Sequence, residues 1–256
     1  MKNIYLIGMC LLLIGLARAE HDWVSSYYLN PAPEDFVKEV KAIAESGELD
    51  KADLHPSLIG FLSQVMAQNP KKVDTWLTQL EDLKEKDRTT LLVAAWFSDT
   101  QGARDYFTQR GLNEYLQSKP KSILEMKIQT PESLDLLWGY FFARGDEASI
   151  RHIVTAFDLA KYEGSLDRYK YENQSLEAQQ AAYLEATFQA AVWSVESNCK
   201  QHSRVLEYCE KIFTAQDLSK AQREQLGKIL VRVKPEQYRL EDGRVIAVGA
   251  VSKIRD

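Results

Sequence analysis

The chain has 256 residues, of which 45% are hydrophobic and 27% are charged, and its formal net charge is -5. This length and composition are sufficient for a substantial buried core. Acidic and basic residues are well mixed, whereas nucleic acids and anionic membranes select for clustered Lys and Arg. We therefore expect no nucleic-acid partner and no binding to an anionic membrane surface.

Residues 1–19 are typical of a secretory signal peptide. Lys2 gives a positive start, residues 4–16 are almost wholly apolar, and Ala17 and Ala19 occupy the two positions that a signal peptidase reads. The apolar run is shorter than the roughly 20 residues that a membrane-spanning helix needs. We expect cleavage before residue 20, export to the periplasm of a Gram-negative bacterium or secretion from another cell, and no stable membrane insertion afterwards.

The first part of the mature chain predicts three helices. Apolar residues recur at helical spacing from Phe36 until Gly47, a residue that favours a helix end. Pro56 and Pro70 precede two further helical patterns, and proline is favoured in the first turn of a helix. The second and third helices, joined by a short polar turn, make a hairpin. The aromatic residues before Pro31 are expected to pack on these helices.

This hairpin belongs to an irregular repeat with three full copies. Each copy has an aromatic residue that ends an apolar run, followed twelve and fifteen residues later by apolar residues of a second helix. The copies are Phe61 with Val73 and Trp76, Trp138 with Ile150 and Ile153, and Trp193 with Val205 and Tyr208. A polar turn at the same place in every copy is expected of two packed antiparallel helices. Core packing explains the aromatic residues without a ligand.

Other segments fill the spaces between the copies. Residues 91–107 predict a shortened hairpin with Trp96 at the aromatic position, residues 123–128 predict a short helix, and Thr130 with Pro131 predicts a helix start. Residues 161–174 break the pattern, as a long connection or as the frayed ends of two helices. Residues 175–198 predict the longest helix, and residues 217–233 predict a further one.

The C-terminal extension, residues 234–256, differs from the rest. Residues 238–240 and 244–248 favour strands, and the Asp242-Gly243 pair between them is a β-hairpin signal. An isolated hairpin is marginally stable in water. We expect it to pack on the helices, to stay mobile, or to pair with another chain.

Together these patterns predict an all-α fold with a short C-terminal β-hairpin. All seven prolines fall at predicted helix starts or in connections, as an all-helical chain requires. Residues 20–233 are expected to form one irregular stack of antiparallel helix hairpins. In this hairpin plan the chain resembles α-solenoid proteins, and the resemblance implies exposed faces that bind proteins or peptides.

No motif in the sequence predicts catalysis. The chain lacks a glycine-rich phosphate loop, a nucleophile elbow, paired zinc-binding histidines and an acidic calcium loop. The histidines at positions 21, 55, 152 and 202 have no partners at metal-ligand spacing. Ser118 and Lys121 have the spacing of a serine–lysine pair, but Pro120 lies between them and no companion motif follows. We predict no catalytic, cofactor-binding or metal-binding residues.

The two cysteines of the mature chain, Cys199 and Cys209, leave two alternatives. An oxidising compartment favours a disulfide between them. However, Cys209 stands where the other copies have Leu77 and Val154, a core position that a small apolar residue can fill. The helical rise between Ser203 and Cys209 is also roughly 9 Å, which is long for a bridge. The pairing therefore stays open.

The leading hypothesis is an exported, non-catalytic helical-repeat protein that binds a protein or peptide partner as an interaction or scaffold module. Tyr162, Tyr169 and Tyr171, in the segment that breaks the repeat, and the C-terminal hairpin are the expected contact surfaces. Asn173 fits the N-glycosylation acceptor pattern, which matters only in a eukaryotic secreted protein. The alternatives are a hydrolase of cell-envelope material with an apolar cleft and a perturbed carboxylate, and a helical carrier of a small apolar ligand.

Overall fold

The computed structural model describes residues 22–52, 54–172, 174–242 and 244–248. The predicted signal peptide, His21 and the Asn173 acceptor lie outside these ranges. Within them the predicted all-α fold with a short C-terminal β-hairpin is confirmed. None of the helices in the described ranges is both long and apolar enough to cross a membrane.

The α-helices of the described ranges have between 5 and 26 residues, and the longest, α10, lies in the second half of the chain. The α-helices are α1 Asp22–Ser26, α2 Phe36–Glu45, α3 His55–Gln68, α4 Val73–Gln79, α5 Glu85–Ser98, α6 Gln101–Arg110, α7 Pro131–Arg144, α8 Glu147–Val154, α9 Ser165–Tyr171, α10 Leu176–Gln201, α11 Ser203–Thr214 and α12 Lys220–Val233. The 3₁₀ segments are Pro33–Asp35, Glu48–Asp50, Asn113–Leu116, Ile123–Glu125 and Thr155–Tyr162. The strands are β1 Tyr238–Glu241 and β2 Arg244–Ala247, paired antiparallel.

Local sequence chemistry sets the helix ends. The Ser175 hydroxyl accepts a hydrogen bond from the Ala178 amide at the start of α10, and Ser219 forms a capping box with Gln222 at the start of α12. These side chains satisfy amides that have no partner inside the helix. Gly47, with φ of 75°, adopts the left-handed conformation just after α2, as its helix-end role requires.

The chain divides into two compact units. Unit 1 contains the described residues up to 127 together with residues 132–149. Unit 2 contains residues 128–131 together with the described residues from 150 onward. Unit 1 thus holds α1 to α6 and nearly all of α7, whereas unit 2 holds α9 to α12 and both strands.

The residues of the three predicted hairpins lie on the consecutive helices α3 and α4, α7 and α8, and α10 and α11. Helices α10 and α11 pack against each other as predicted, whereas α3 packs mainly on α5 and α4 on α6. The residues twelve positions after each aromatic anchor, Val73, Ile150 and Val205, are all fully buried. The anchors differ, because Phe61 and Trp138 are fully buried and Trp193 is only half-buried. The third copy therefore keeps the buried second helix of the repeat but not its fully buried anchor.

In unit 1, helices α3 and α7 approach until their backbones touch. A Cβ atom built on Gly60 would lie 2.1 Å from the Leu136 carbonyl oxygen, and one built on Gly139 would lie 1.9 Å from the Ser57 carbonyl oxygen. Both positions exclude every side chain larger than hydrogen, because real Cβ atoms do not approach backbone oxygens so closely. Glycine therefore fixes the distance between these two helices.

The N-terminal aromatic residues pack on the same region of unit 1, as predicted. The Trp23 and Tyr27 rings lie edge-on to the Phe61 ring, with centroids 4.9 and 5.4 Å away. The Tyr28 amide donates to the Phe142 carbonyl oxygen at 3.0 Å. These rings cover the α3 anchor, so they belong to the core and not to a ligand site.

The C-terminal hairpin packs on helices of unit 2. Strand β2 lies so close to α12 that a Cβ atom on Gly227 would be 2.8 Å from the Val245 Cγ2 atom. The Tyr238 ring lies edge-on to Phe213 at 6.1 Å, and its hydroxyl hydrogen bonds to the Glu210 carboxylate at 3.3 Å. Of the three alternatives for the hairpin, packing on the helices is the one observed.

Two segments differ from their predicted form. Residues 165–171, expected to be a connection or frayed helix ends, form the separate helix α9 after Gly164, whose φ is 83°. Residues 123–128 form only the short 3₁₀ turn Ile123–Glu125. The first difference has a tertiary cause, because the Glu185 carboxylate of α10 accepts a hydrogen bond from the Leu166 amide at the N-terminus of α9.

The contact between α3 and α7 gives a first prediction. We expect Gly60→Ala and Gly139→Ala each to lower the free energy of unfolding by about 2 kcal/mol or more, because the added methyl group must push the two backbones apart. The same change in a helix without this contact would raise stability, by up to about 1 kcal/mol. Urea unfolding monitored by circular dichroism measures the difference.

The exposed Thr78→Ala variant in α4 is the control, with an expected change below about 0.5 kcal/mol. A Gly60→Ala protein as stable as the wild type would show that the two helices do not touch through their backbones.

Candidate interaction surface

The exposed apolar side chains of the described residues concentrate in unit 2. Seven large apolar side chains are exposed in those ranges, and three of them lie within residues 171–183. Tyr171 is 82% exposed, Leu176 is 65% exposed and Tyr183 is 40% exposed. Scattered apolar residues are normal on a protein surface, whereas a local concentration of them marks a contact site. These three residues are called the α9–α10 surface below.

Leu176 and Tyr183 lie on a face of α10 that is buried further along the same helix. They are seven residues apart, and the next residue in this series, Ala190, is buried. A spacing of seven residues places side chains on one side of a helix. Thr187, one turn after Tyr183, is also buried. Its hydroxyl donates to the Tyr183 carbonyl oxygen at 2.8 Å and lies 3.3 Å from the Gln129 carbonyl oxygen, a second and longer acceptor.

Residues 128–131 of unit 2 therefore cover this face at Thr187, while its first turns remain uncovered. The length of α10 explains the uncovered part. Helices α3 and α7, the first helices of the other two hairpins, have 14 residues each, but α10 has 26. The additional turns lie before the anchor Trp193, and they carry Leu176 and Tyr183.

Helix α9 is held in place by the buried Glu185 carboxylate of α10. One Glu185 oxygen accepts a hydrogen bond from the Leu166 amide in the first turn of α9 at 2.6 Å. The other oxygen accepts one from the Gln189 side-chain amide at 3.1 Å. A carboxylate at a helix N-terminus is favoured by the free amides and by the helix dipole. This contact fixes the helix that ends at Tyr171, five residues before α10 begins.

The three tyrosines named from the sequence have different environments. Tyr171 is the exposed one, whereas Tyr162 and Tyr169 are half-buried. The Lys161 ammonium group lies over the Tyr162 ring, 5.3 Å from its centre, which is a cation–π contact. One face of this ring is therefore in contact with a neighbouring side chain. Leu176 and Tyr183 were not predicted, although their spacing of seven residues in a long helix was a visible signal.

Charged and polar residues lie next to the residues of the α9–α10 surface in the sequence. Lys170, Glu172 and Glu177 are exposed, and so are Gln174 and Gln180. The exposed side chains on either side of the three apolar residues therefore carry charges of both signs.

The C-terminal hairpin, the other predicted surface, exposes Leu240 and Val248. Leu240 pairs with Val245 across the hairpin, and Val245 packs towards Gly227. One side of the hairpin is therefore used within unit 2. Leu240 lies on this same side, because the side chains of cross-strand partners share one face of a sheet. Leu240 and Val248 nevertheless remain exposed and add a second, smaller apolar area to this unit.

Unit 1 contains a cavity of about 370 Å³ beside the turn from α5 to α6. Its aromatic wall includes Phe107 and Tyr115, whose rings stack with centroids 4.9 Å apart. Burial and the nearby Glu114 carboxylate raise the pKa of the Tyr115 hydroxyl. The volume is at the lower end of the range of small-ligand sites.

The rim of this cavity carries three charged groups and no free carboxylate. The Asp99 carboxylate forms ion pairs with Arg104 at 2.7 Å and with Lys119 at 2.8 Å. The Trp96 indole N–H donates to the Ser118 carbonyl oxygen at 3.0 Å. Asp99 is the acidic residue of the lining, and both of its carboxylate oxygens are engaged by cations.

The remaining predicted site residues show no metal-binding arrangement. No group of three or more His, Cys, Asp or Glu side chains in the described residues could hold a metal ion. His55 begins α3 and His202 links α10 to α11, in agreement with their expected places at helix ends. Cys199 and Cys209 are both buried in unit 2.

Comparison of the chain with models of protein families, with curated proteins and with solved structures finds no match. The fold and the surfaces described above define its class, an all-α protein with a short C-terminal β-hairpin and an exposed apolar surface on unit 2.

The role of Glu185 gives a second prediction. We expect Glu185→Ala to speed hydrogen exchange of the α9 amides and to lower the free energy of unfolding by about 1–3 kcal/mol, because the Leu166 amide loses its acceptor. Glu185→Gln keeps an acceptor oxygen and should retain most of the protection. Hydrogen-exchange mass spectrometry of peptides covering residues 165–171 measures both effects.

The exposed Glu177→Ala variant is the control, and it should leave exchange in α9 unchanged. Equal exchange in Glu185→Ala and Glu177→Ala would contradict the role of Glu185 in docking α9.

Proposed function

We propose that this chain is an exported helical-repeat protein that acts as a non-catalytic protein-interaction module. The observation that carries the proposal is the α9–α10 surface, where an apolar helix face that is buried at Thr187 continues uncovered to Tyr183 and Leu176. Uncovered apolar area of this kind is stabilised when a partner removes it from water. Export rests on the signal-peptide pattern of residues 1–19.

The expected partner is a protein that presents an apolar or aromatic contact of its own. Tyrosine is favoured in such contacts because it offers a large rigid area and a hydroxyl group that can hydrogen bond. The charged residues next to this surface in the sequence are of both signs, so they do not favour a partner of either net charge. The chain is acidic, which weakens attraction to nucleic acids.

A hydrolase is the weaker interpretation of the same structure. It would need a carboxylate that can hold a proton beside an apolar cleft. The cavity of unit 1 has apolar walls, but its carboxylate, Asp99, is paired with two cations. We therefore do not assign a reaction to this cavity.

The proposal predicts site-specific contact in the organism that encodes the protein. A photo-crosslinking amino acid placed at position 171, 176 or 183 should give a discrete adduct with one partner. The same amino acid at position 207, an exposed site on α11 of the same unit, should give none. In the chain that carries the photo-crosslinking amino acid at position 171, the additional substitution Tyr183→Asp should lower the yield of the adduct about tenfold. This factor is equivalent to about 1.4 kcal/mol of lost binding free energy.

Equal labelling at 207 and at the three surface positions would show that the contacts are non-specific. No adduct from any of the three positions in the exported protein would contradict the proposal.

The cavity of unit 1 favours a second candidate function, the carriage of a small, mainly apolar ligand. Phe107, Tyr115, Leu116 and Pro120 supply apolar wall, and Arg104 and Lys119 outnumber Asp99 at the rim. Small-ligand sites combine apolar walls with a few polar groups in this way. The volume of about 370 Å³ limits the ligand to a small molecule.

This second function predicts a ligand that purifies with the protein. Native mass spectrometry should show an additional mass that disappears on denaturation, and Tyr115→Ala should lose it because one aromatic wall is removed. Tyr162→Ala, which alters another half-buried tyrosine, should keep it. A wild-type protein without an additional mass, or equal retention by both variants, would count against a carrier.

A further inference from the structure

The cavity of unit 1 lies between two segments of the chain that are joined by direct contacts. One segment is the turn from α5 to α6, and the other is the stretch of residues 115–120. The Trp96 indole N–H donates to the Ser118 carbonyl oxygen at 3.0 Å, and the Lys119 ammonium group lies 2.8 Å from the Asp99 carboxylate. These contacts hold the walls in place, so a ligand would enter a preformed site.

The rim of this cavity has an excess of positive charge. Arg104 and Lys119 both pair with the single carboxylate of Asp99, which is the one acidic residue of the described lining. The Glu114 carboxylate acts on the neighbouring Tyr115 hydroxyl, but Glu114 is exposed and does not line the cavity. The whole chain has a formal net charge of -5. The rim is therefore a local positive region on an acidic protein, and it attracts anions.

Both cations of the rim have hydrogen-bond donors left for a second anion. The Arg104 guanidinium carries more N–H donors than the three hydrogen bonds that it makes within the described residues. It donates to the Asp99 carboxylate at 2.7 Å, to the Asp99 carbonyl oxygen at 3.0 Å and to the Gln101 side-chain oxygen at 3.3 Å. The Lys119 ammonium group pairs there with Asp99 alone. Charged donors of this kind form strong hydrogen bonds with a carboxylate.

We propose that this cavity binds a small apolar molecule that carries one carboxylate group. This assignment rests on the carrier function proposed above and names the chemical class of its ligand. The apolar part of the ligand packs against Phe107, Tyr115 and Leu116, and its carboxylate lies at the rim beside Arg104 and Lys119. One carboxylate balances the charge of the rim, which has one more cation than carboxylate.

The volume of the cavity limits the size of this ligand. A cavity of about 150 Å³ accommodates benzene, and the cavity of unit 1 has about 370 Å³. Two fused aromatic rings with a carboxylate therefore fit. The probe 2-naphthoate is such a molecule, and 2-naphthamide is a neutral molecule of nearly the same shape. Together the two probes separate binding to the apolar walls from binding to the cations.

The first test compares the two probes on the full chain, after exhaustive dialysis, by isothermal titration calorimetry. We expect 2-naphthoate to bind with a dissociation constant below about 1 mM. The neutral 2-naphthamide should bind about fivefold more weakly, because ion pairs that are partly exposed contribute modestly. Equal affinity of the two probes would overturn the carboxylate assignment and leave the carrier function standing. Binding of neither probe would overturn the assignment and count against the carrier as well.

The second test removes one cation of the rim. We expect Lys119→Gln to weaken binding of 2-naphthoate about threefold and to leave binding of 2-naphthamide unchanged. Lys121→Gln is the matched control, because Lys121 is an exposed lysine two positions away that does not line the cavity. Equal weakening by both variants would show an effect of net charge alone and would overturn the assignment.

The third test removes the competing carboxylate of the rim. Asp99→Asn frees both cations, so it should strengthen binding of 2-naphthoate about threefold or more, with binding of 2-naphthamide unchanged. The substitution suits the backbone, since Asp99 has a φ of 49° and asparagine is among the residues that adopt this conformation. Circular dichroism checks that the variant is folded. Unchanged or weaker binding of 2-naphthoate by the folded variant would overturn the assignment.

Discussion

The backbone contact between α3 and α7 is the constraint on which unit 1 depends. Gly60 and Gly139 each meet a carbonyl oxygen of the opposite helix, so the two helices approach as closely as two backbones can. Each glycine is next in sequence to the aromatic anchor of its hairpin, Phe61 or Trp138, and both anchors are fully buried. The pairing of a small residue that permits approach with a large residue that fills the adjacent space produces a dense core.

Unit 2 contains the third copy of the predicted repeat, and its anchor lacks that constraint. Its anchor, Trp193, is only half-buried, and its first helix is nearly twice as long as those of the other copies. The additional turns of α10 do two things. Glu185 fixes α9 through the Leu166 amide, and Leu176 and Tyr183 extend an apolar face beyond the residues that cover it. The part of the repeat that departs most from the other copies thus carries the proposed interaction surface.

The sequence predicted the features that depend on local chemistry. Proline positions, capping residues and hydrophobic spacing were sufficient for the main helices and for the strand pair around Asp242. Features that depend on contacts between distant residues were missed. The roles of Gly60 and Glu185 require knowledge of which helices lie side by side, and no local pattern supplies it.

The candidate site was predicted only in part for the same reason. Tyr171 was named, and its exposure agrees with a role at the surface, but Tyr162 and Tyr169 are half-buried. Leu176 and Tyr183 are apolar residues in an amphipathic helix, and their exposure depends on where residues 128–131 cover α10.

Hydrogen exchange tests the proposed interaction surface most directly, through a comparison of the protein alone with the complex isolated after crosslinking at position 176. We expect slower exchange in α9 and in the first two turns of α10 when the partner is bound, with unit 1 unchanged. Protection confined to unit 1, or no protection within residues 165–185, would contradict the claim that the uncovered face of α10 is where this protein meets its partner.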